Sequence, residues 1–144
     1  MPTGYYPIHK KRAIAFFDGQ NLFHAAVEAF NYKYPNYDPK ALATKIALDE
    51  NWELNEVRFY TGIPDHTRDE FWHHFWTAKL ANMGRQGVKR FQRTLRYRSE
   101  EITCDDVSTK TITVKQEKGI DVRIALDIVR MAIDNQYDVA LLFS

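Results

Sequence analysis

Apolar residues fall along this chain in short runs separated by amphipathic stretches, and the period changes from one segment to the next. Ala13-Ile14-Ala15-Phe16-Phe17 is an uninterrupted apolar run with charged residues on both sides, which predicts a strand buried on both faces. It stops at Asp18-Gly19-Gln20-Asn21, and a helical pattern then extends from Leu22-Phe23 to about Phe30. Asn31 to Tyr37 is aromatic, polar and broken by proline, and reads as a loop. Asp38-Pro39 supplies a capping side chain and a first-turn proline for a helix to about Asp49, with Leu42, Ile46 and Ala47 on one face. Val57 to Thr61 is a second strand, ended by Gly62-Ile63-Pro64. A long helix follows from about Thr67 to Gln86, with Phe71, Phe75, Ala78 and Met83 near helical spacing.

Val88 to Tyr97 sets Lys89, Arg90, Arg93 and Arg96 among Val88, Phe91, Leu95 and Tyr97, and reads as one amphipathic strand continuing to Arg98. Ile102 to Cys104 and Thr111 to Val114 predict a hairpin across Asp105 to Lys110. Gly119 to Asn135 is the clearest helix, and Val139 to Phe143 is a fully apolar strand that stops at Ser144. Apolar strands alternating with helices predict an α/β fold of three layers. Its central sheet is Rossmann-like and mostly parallel, with helices on both faces and a small β-hairpin added. Residues 1–12 read as a flexible leading segment and 13–144 as one domain.

Composition narrows the class only in part. The chain has 144 residues, 44% hydrophobic and 27% charged, with a net charge of +1, so overall charge does not attract nucleic acid and any such affinity needs a local patch. The single cysteine, Cys104, excludes an intrachain disulfide and a cysteine zinc site, and fits a reducing compartment. Met1 to Arg12 has no apolar stretch of the secretory kind, and no run is long enough to span a bilayer. The expectation is a soluble, cytoplasmic protein with no membrane partner.

In an open α/β sheet, ligands bind beyond the carboxyl ends of the strands, so residues just past those ends are the informative ones. Asp18 follows the first strand, Gly19 lets the backbone turn and approach a ligand, and Asn21 is placed to cap the next helix or orient Asp18. Such a carboxylate suits Mg²⁺ or Mn²⁺, which take hard oxygen ligands; it equally suits a plain Asx-turn and helix cap. In Lys118-Gly119-Ile120-Asp121-Val122, Asp121 begins a stripe that continues through Ala125, Ile128 and Ala132, so it is expected to point inward in the first helical turn. A carboxylate there needs a partner, which a metal or Lys118 supplies; the bland alternative is an acid that only complements the helix dipole. A second apolar stripe runs Val122, Leu126, Val129, Ile133. On the polar stripe Arg123, Asp127, Arg130, Asp134, the two acids read as solvated ion-pair partners.

Three segments together carry a family resemblance. Asp18 to Leu22 after its strand resembles the opening motif of NYN domains, and Lys118 to Val122 with its helix resembles their second motif. Tyr137 to Ser144 is similar to the strand that in this family runs into an acidic serine-containing motif. The order and spacing fit from about Ala13 to Ser144. The resemblance implies the PIN-like, LabA-like fold and metal-dependent ribonuclease chemistry with Mg or Mn. It carries Asp18 and Asp121 over as catalytic, metal-binding carboxylates, with Asn21 as support for the first and Ser144 as the residue leading into the third motif. The acids expected after that serine are absent, so the chain reads as cut short before its last acidic motif.

RNA is the implied partner. Lys89, Arg90, Arg93, Arg96 and Tyr97 are the candidate surface for it, weighed against a plain solvated strand face. Tyr32, Tyr34 and Tyr37 offer base stacking or simple packing on their own domain. His24, His66, His73 and His74 read as structural or surface residues, since the adjacent pair His73-His74 diverges on a helix. The cluster Phe71, Trp72, Phe75, Trp76 reads as core or protein interface. An open sheet edge is also a route to a homo-oligomer. A phosphatase with a nucleophilic aspartate after its first strand needs an acid two residues on, where this chain has Gln20. The remaining rival is a regulatory module that binds RNA or protein without cutting.

Overall fold

The computed structural model describes residues 9–34, 36–103, 109–116 and 119–144. Ten elements follow in order: β1 (Arg12–Asp18), α1 (Gly19–Phe30), α2 (Pro39–Asp49), β2 (Glu53–Ile63), α3 (Glu70–Arg85), β3 (Lys89–Thr94), β4 (Arg96–Thr103), β5 (Thr109–Gln116), α4 (Ile120–Ile133) and β6 (Val139–Phe143). Four strands form one sheet in the order β3-β2-β1-β6, all parallel. β4 and β5 make a separate antiparallel ladder. The expected α/β architecture with a parallel sheet and a hairpin is therefore what the chain adopts.

The apolar run of β1 is buried on both sides because helices cover both faces. Ala15 and Phe17 join Val57, Phe59 and Ile63 of β2 in a core closed by Phe23 of α1, Ala43 of α2, and Trp76, Leu80 and Met83 of α3. Ile14 and Phe16 face the other way and meet Tyr60, Ile120, Ile124 and Met131, the last three from α4. Phe16, Phe17 and Phe59 lose all their exposure, each worth about 1.5–3 kcal/mol relative to an exposed side chain. Arg12 fastens the two strand starts: its Nε and Nη2 each lie 3.1 Å from an Asp138 carboxylate oxygen, and its Nη1 donates to the Asn135 carbonyl at 2.9 Å.

Several boundaries and faces differ from the sequence expectation. α1 begins at Gly19, three residues early, because Asp18 itself is the cap. α3 begins at Glu70 because Asp69 is its cap, and the preceding turn closes on Asp65. The inner side chains of α2 are Ala43 and Ala47, while Leu42 is exposed. Those of α3 are Trp76, Leu80 and Met83, while Phe71 is exposed. Val88 to Tyr97 is not one strand: the Leu95 amide donates to the Ile63 carbonyl at 2.8 Å, ends β3 at the edge of the main sheet, and sends the chain into the separate ladder.

The largest correction concerns α4. Its inner residues are Ile120, Ile124, Asp127 and Met131, with Ile128 of the first stripe packed beside them, so the helix is rotated off the apolar stripes read from the sequence. Asp121, Ala125 and Ala132 are exposed, as are Val122, Leu126, Val129 and Ile133. Asp127 is not a solvated ion-pair partner but a buried acid. It accepts from Tyr60 Oη at 2.7 Å, Arg58 Nη2 at 3.2 Å, Arg123 Nε at 3.0 Å and Arg130 Nη2 at 3.3 Å. Arg58 comes from β2, so the partner that draws Asp127 inward is remote in sequence.

Candidate functional site

Parallel strands end on one rim, and the register brings the predicted residues to it. Asp18 closes β1 opposite Tyr60 of β2, while Phe17 pairs with Phe143 of β6, which places Ser144 beside Asp18. The Phe17 and Phe143 rings stack 4.2 Å apart with their planes nearly parallel, holding β6 against β1 at this point. Asp18 Oδ1 accepts from the Asn21 amide at 3.2 Å, and Oδ2 accepts from Asn21 Nδ2 at 2.9 Å. Asn21 Nδ2 also lies 3.3 Å from Ser144 Oγ. The fold thus gathers Asp18, Asn21 and Ser144 into one hydrogen-bonded group.

Gly19 serves this group by its lack of a side chain rather than by an unusual backbone. A Cβ there would come within 2.6 Å of the Phe59 ring and 3.0 Å of Thr61 Cβ, so only glycine lets α1 start this close to the sheet. Gly119, by contrast, has φ +89° and caps α4 without a side-chain hydrogen bond. A Cβ there would also meet Arg93 Nη1 at 2.5 Å.

Asp18 is 6% exposed. Burial pushes its pKa above the ordinary carboxylate value, the Asn21 amide pulls it back, and the negative charge of Asp121 raises it further. Asp121 therefore lies within electrostatic reach of Asp18, although it is exposed rather than inward-pointing. Among the described residues no lysine or arginine is hydrogen-bonded or ion-paired to Asp18. Lys118 lies outside the described residues, as does Cys104.

One residue near the site was not readable from the sequence. Tyr37 packs on the core beside α1 and α3, and its hydroxyl is buried without a hydrogen-bond partner among the described residues. Burial raises its pKa, and the charge of Asp18 raises it further. Nothing local signals this, because the loop before α2 looks like any aromatic surface loop.

The basic run does not form one row. Lys89 pairs with Glu56, Arg90 donates to the Leu80 carbonyl at 3.1 Å, and Arg93 abuts Gly119. Arg96 is exposed at the start of β4, and Tyr97 Oη accepts from the Asp65 amide at 3.2 Å beneath the Arg68 guanidinium.

The donor set fits a hard divalent cation. Asp18, Asp121 and Ser144 Oγ all offer oxygen ligands, and the charge of Asp121, which opposes ionisation of Asp18, is offset by a cation bound there.

A parallel α/β domain with a nearly buried acid at the carboxyl end of its first strand is the class defined by this geometry. The NYN domain model matches residues 12–144, and the chain belongs to that family of PIN-like nucleases. None of the curated proteins matches the chain. Among solved structures, a protein of unknown function from Vibrio parahaemolyticus superposes with a TM-score of 0.56 over 95% of this chain and 68% of its own, at 19% identity. That likeness shows the fold alone. No helix among the described residues is long and apolar enough to cross a membrane.

Proposed function

We propose that the protein is a metal-dependent ribonuclease, with Asp18 and Asp121 as the carboxylates that hold Mg²⁺ or Mn²⁺. The observation that carries this reading is a nearly buried acid at the strand ends that feels the negative charge of Asp121 and has no cationic partner among the described residues. The other buried acid among the described residues, Asp127, is by contrast met by three arginines. The cation supplies activation of a water and stabilisation of charge on the phosphoryl group. Asn21 orients Asp18, and Ser144 extends the polar rim toward the phosphate. RNA is the proposed substrate, with exposed Arg96 the first candidate for a phosphate contact and Lys89, Arg90, Arg93 and Tyr97 beside it.

The test is incubation of the protein with labelled single-stranded RNA and Mn²⁺. Cleavage is expected to stop in EDTA and to fall by about 10²-fold or more in Asp18→Asn and Asp121→Asn. Cleavage untouched by chelator and by both substitutions would end the proposal. Retained RNA binding with no cleavage at any metal concentration would favour the non-catalytic module instead. The exposed rings of Phe30, Tyr32, Tyr34 and Phe71 are the observation that favours that second reading.

A further inference from the structure

We propose a second cation site, of different metal preference, formed by His66, Glu70 and His74. It does not rest on the nuclease reading.

The site arises from local backbone geometry. Asp65 Oδ1 accepts from the Thr67 amide at 2.8 Å, and the Asp65 carbonyl accepts from the amides of Arg68 and Asp69 at 3.0 and 2.9 Å. This turn enters α3 through Asp69, whose extended backbone (φ −152°, ψ 82°) folds the chain back so that His66 lies over the first turn of the helix. Within α3, spacing of four puts Glu70 and His74 on one face, and His66 meets them there. The His73 and His74 rings stand edge-on 5.9 Å apart, but the nitrogens that converge on Glu70 are those of His66 and His74, while His73 turns its Nδ1 to the Pro64 carbonyl.

His66 Nε2 lies 3.9 Å and His74 Nε2 3.6 Å from the same oxygen, Glu70 Oε1. The three ligand atoms all lie within 4.8 Å of one another. Around one Zn²⁺ with bonds of roughly 2.0–2.2 Å, such atoms sit about 3–3.5 Å apart, so the site closes by an ångström or so of side-chain torsion. His66, Glu70 and His74 are 58%, 72% and 64% exposed, which leaves their side chains room for that movement.

Exposed ion pairs are the competing explanation, and such pairs contribute little. They also account poorly for two imidazoles meeting at one carboxylate oxygen. An ion pair with Glu70 needs only one ring, and a second cationic ring there would repel the first. A cation satisfies all three at once. Two nitrogens and one oxygen select a borderline transition metal such as Zn²⁺, Ni²⁺ or Co²⁺, whereas the all-oxygen group at Asp18 suits Mg²⁺ or Mn²⁺. Three protein ligands leave a tetrahedral position open for water or another oxygen. Beside them, His73 Nδ1 meets the Pro64 carbonyl at 2.8 Å, and its ring stands edge-on to His66 at 5.4 Å.

The experiment is a calorimetric titration of the whole chain with Zn²⁺, without RNA and with millimolar Mg²⁺ present to occupy oxygen sites. One saturable site per chain is expected. It weakens by roughly 10–100-fold in Glu70→Gln and in the double variant His66→Ala/His74→Ala, and is unchanged in Asp18→Asn. The exposure of all three residues makes a folding defect an unsuitable explanation for that loss. Absence of saturable Zn²⁺ binding, wild-type affinity in the double variant, or loss of the site in Asp18→Asn would each overturn the proposal. None of these results depends on whether RNA is cut.

Discussion

Asp18 and Asp127 are 6% and 3% exposed, close to the same sheet, yet their surroundings move their protons in opposite directions. For both, burial opposes the charge. At Asp127, hydrogen bonds from Tyr60, Arg123 and Arg58 outweigh it and hold the pKa below the ordinary carboxylate range. At Asp18, the hydrogen bonds from Asn21 do not suffice, and the charge of Asp121 works against them. An acid supplied with cations by its own chain is finished structure. Asp18, which has none among the described residues, is where the proposed reading puts a bound cation instead.

The contrast breaks most visibly if Asp127 is removed. Asp127→Ala leaves buried Arg58 without its carboxylate partner on α4 and is expected to cost about 3–5 kcal/mol in urea unfolding. A cost under about 1 kcal/mol would mean that the cluster is not a stabilising unit. Because its pKa is depressed, the support from Asp127 is present above the ordinary carboxylate value and is lost as pH falls through the lowered one.

Two tyrosines sharpen the comparison at smaller scale. Tyr60 Oη donates to Asp127 at 2.7 Å and accepts from Arg58 Nε at 2.8 Å, whereas Tyr37 Oη has no partner among the described residues. Tyr60→Phe should cost about 1.5–3 kcal/mol, and Tyr37→Phe should be neutral or slightly stabilising. Equal losses in the two variants, measured side by side, would contradict these assignments.

Asp18→Asn is expected to stabilise the metal-free protein, by on the order of 1 kcal/mol, since the amide still caps α1 and carries no buried charge. The sign follows from the raised pKa. The contribution of Asp18 to folding is fully present below the ordinary carboxylate value and is lost as pH rises through the raised one. The advantage of the variant should therefore be largest at neutral pH and vanish in acid, opposite to the pH trend of Asp127. Thermal melts of both proteins across that range measure it; a variant less stable than its parent at pH 7 would refute the assignment.

Much of the frame was readable in advance because its signals are local. The apolar run at Ala13 to Phe17, the Asp38-Pro39 helix start and the apolar strand before Ser144 each need only their neighbours in sequence. The phase of α4 was not readable, because three stripes on that helix compete and the decision belongs to Arg58, 69 residues away. The break at Leu95 was hidden for the same reason: alternation continues through it, and the amide that ends β3 bonds to a residue of β2. At the candidate site, the gathering of Asp18, Asn21 and Ser144 follows from strand order. The isolation of the Tyr37 hydroxyl is a property of packing alone.

The contact between Gly19 and the Phe59 ring has a consequence for how such a domain can vary. The position of its principal acid is dictated by an atom that is missing, and the tolerance there is less than the width of a methyl group. Diversification of this rim is thereby steered toward the loops and helix starts around it, while the step from first strand to first helix is left almost no freedom to drift.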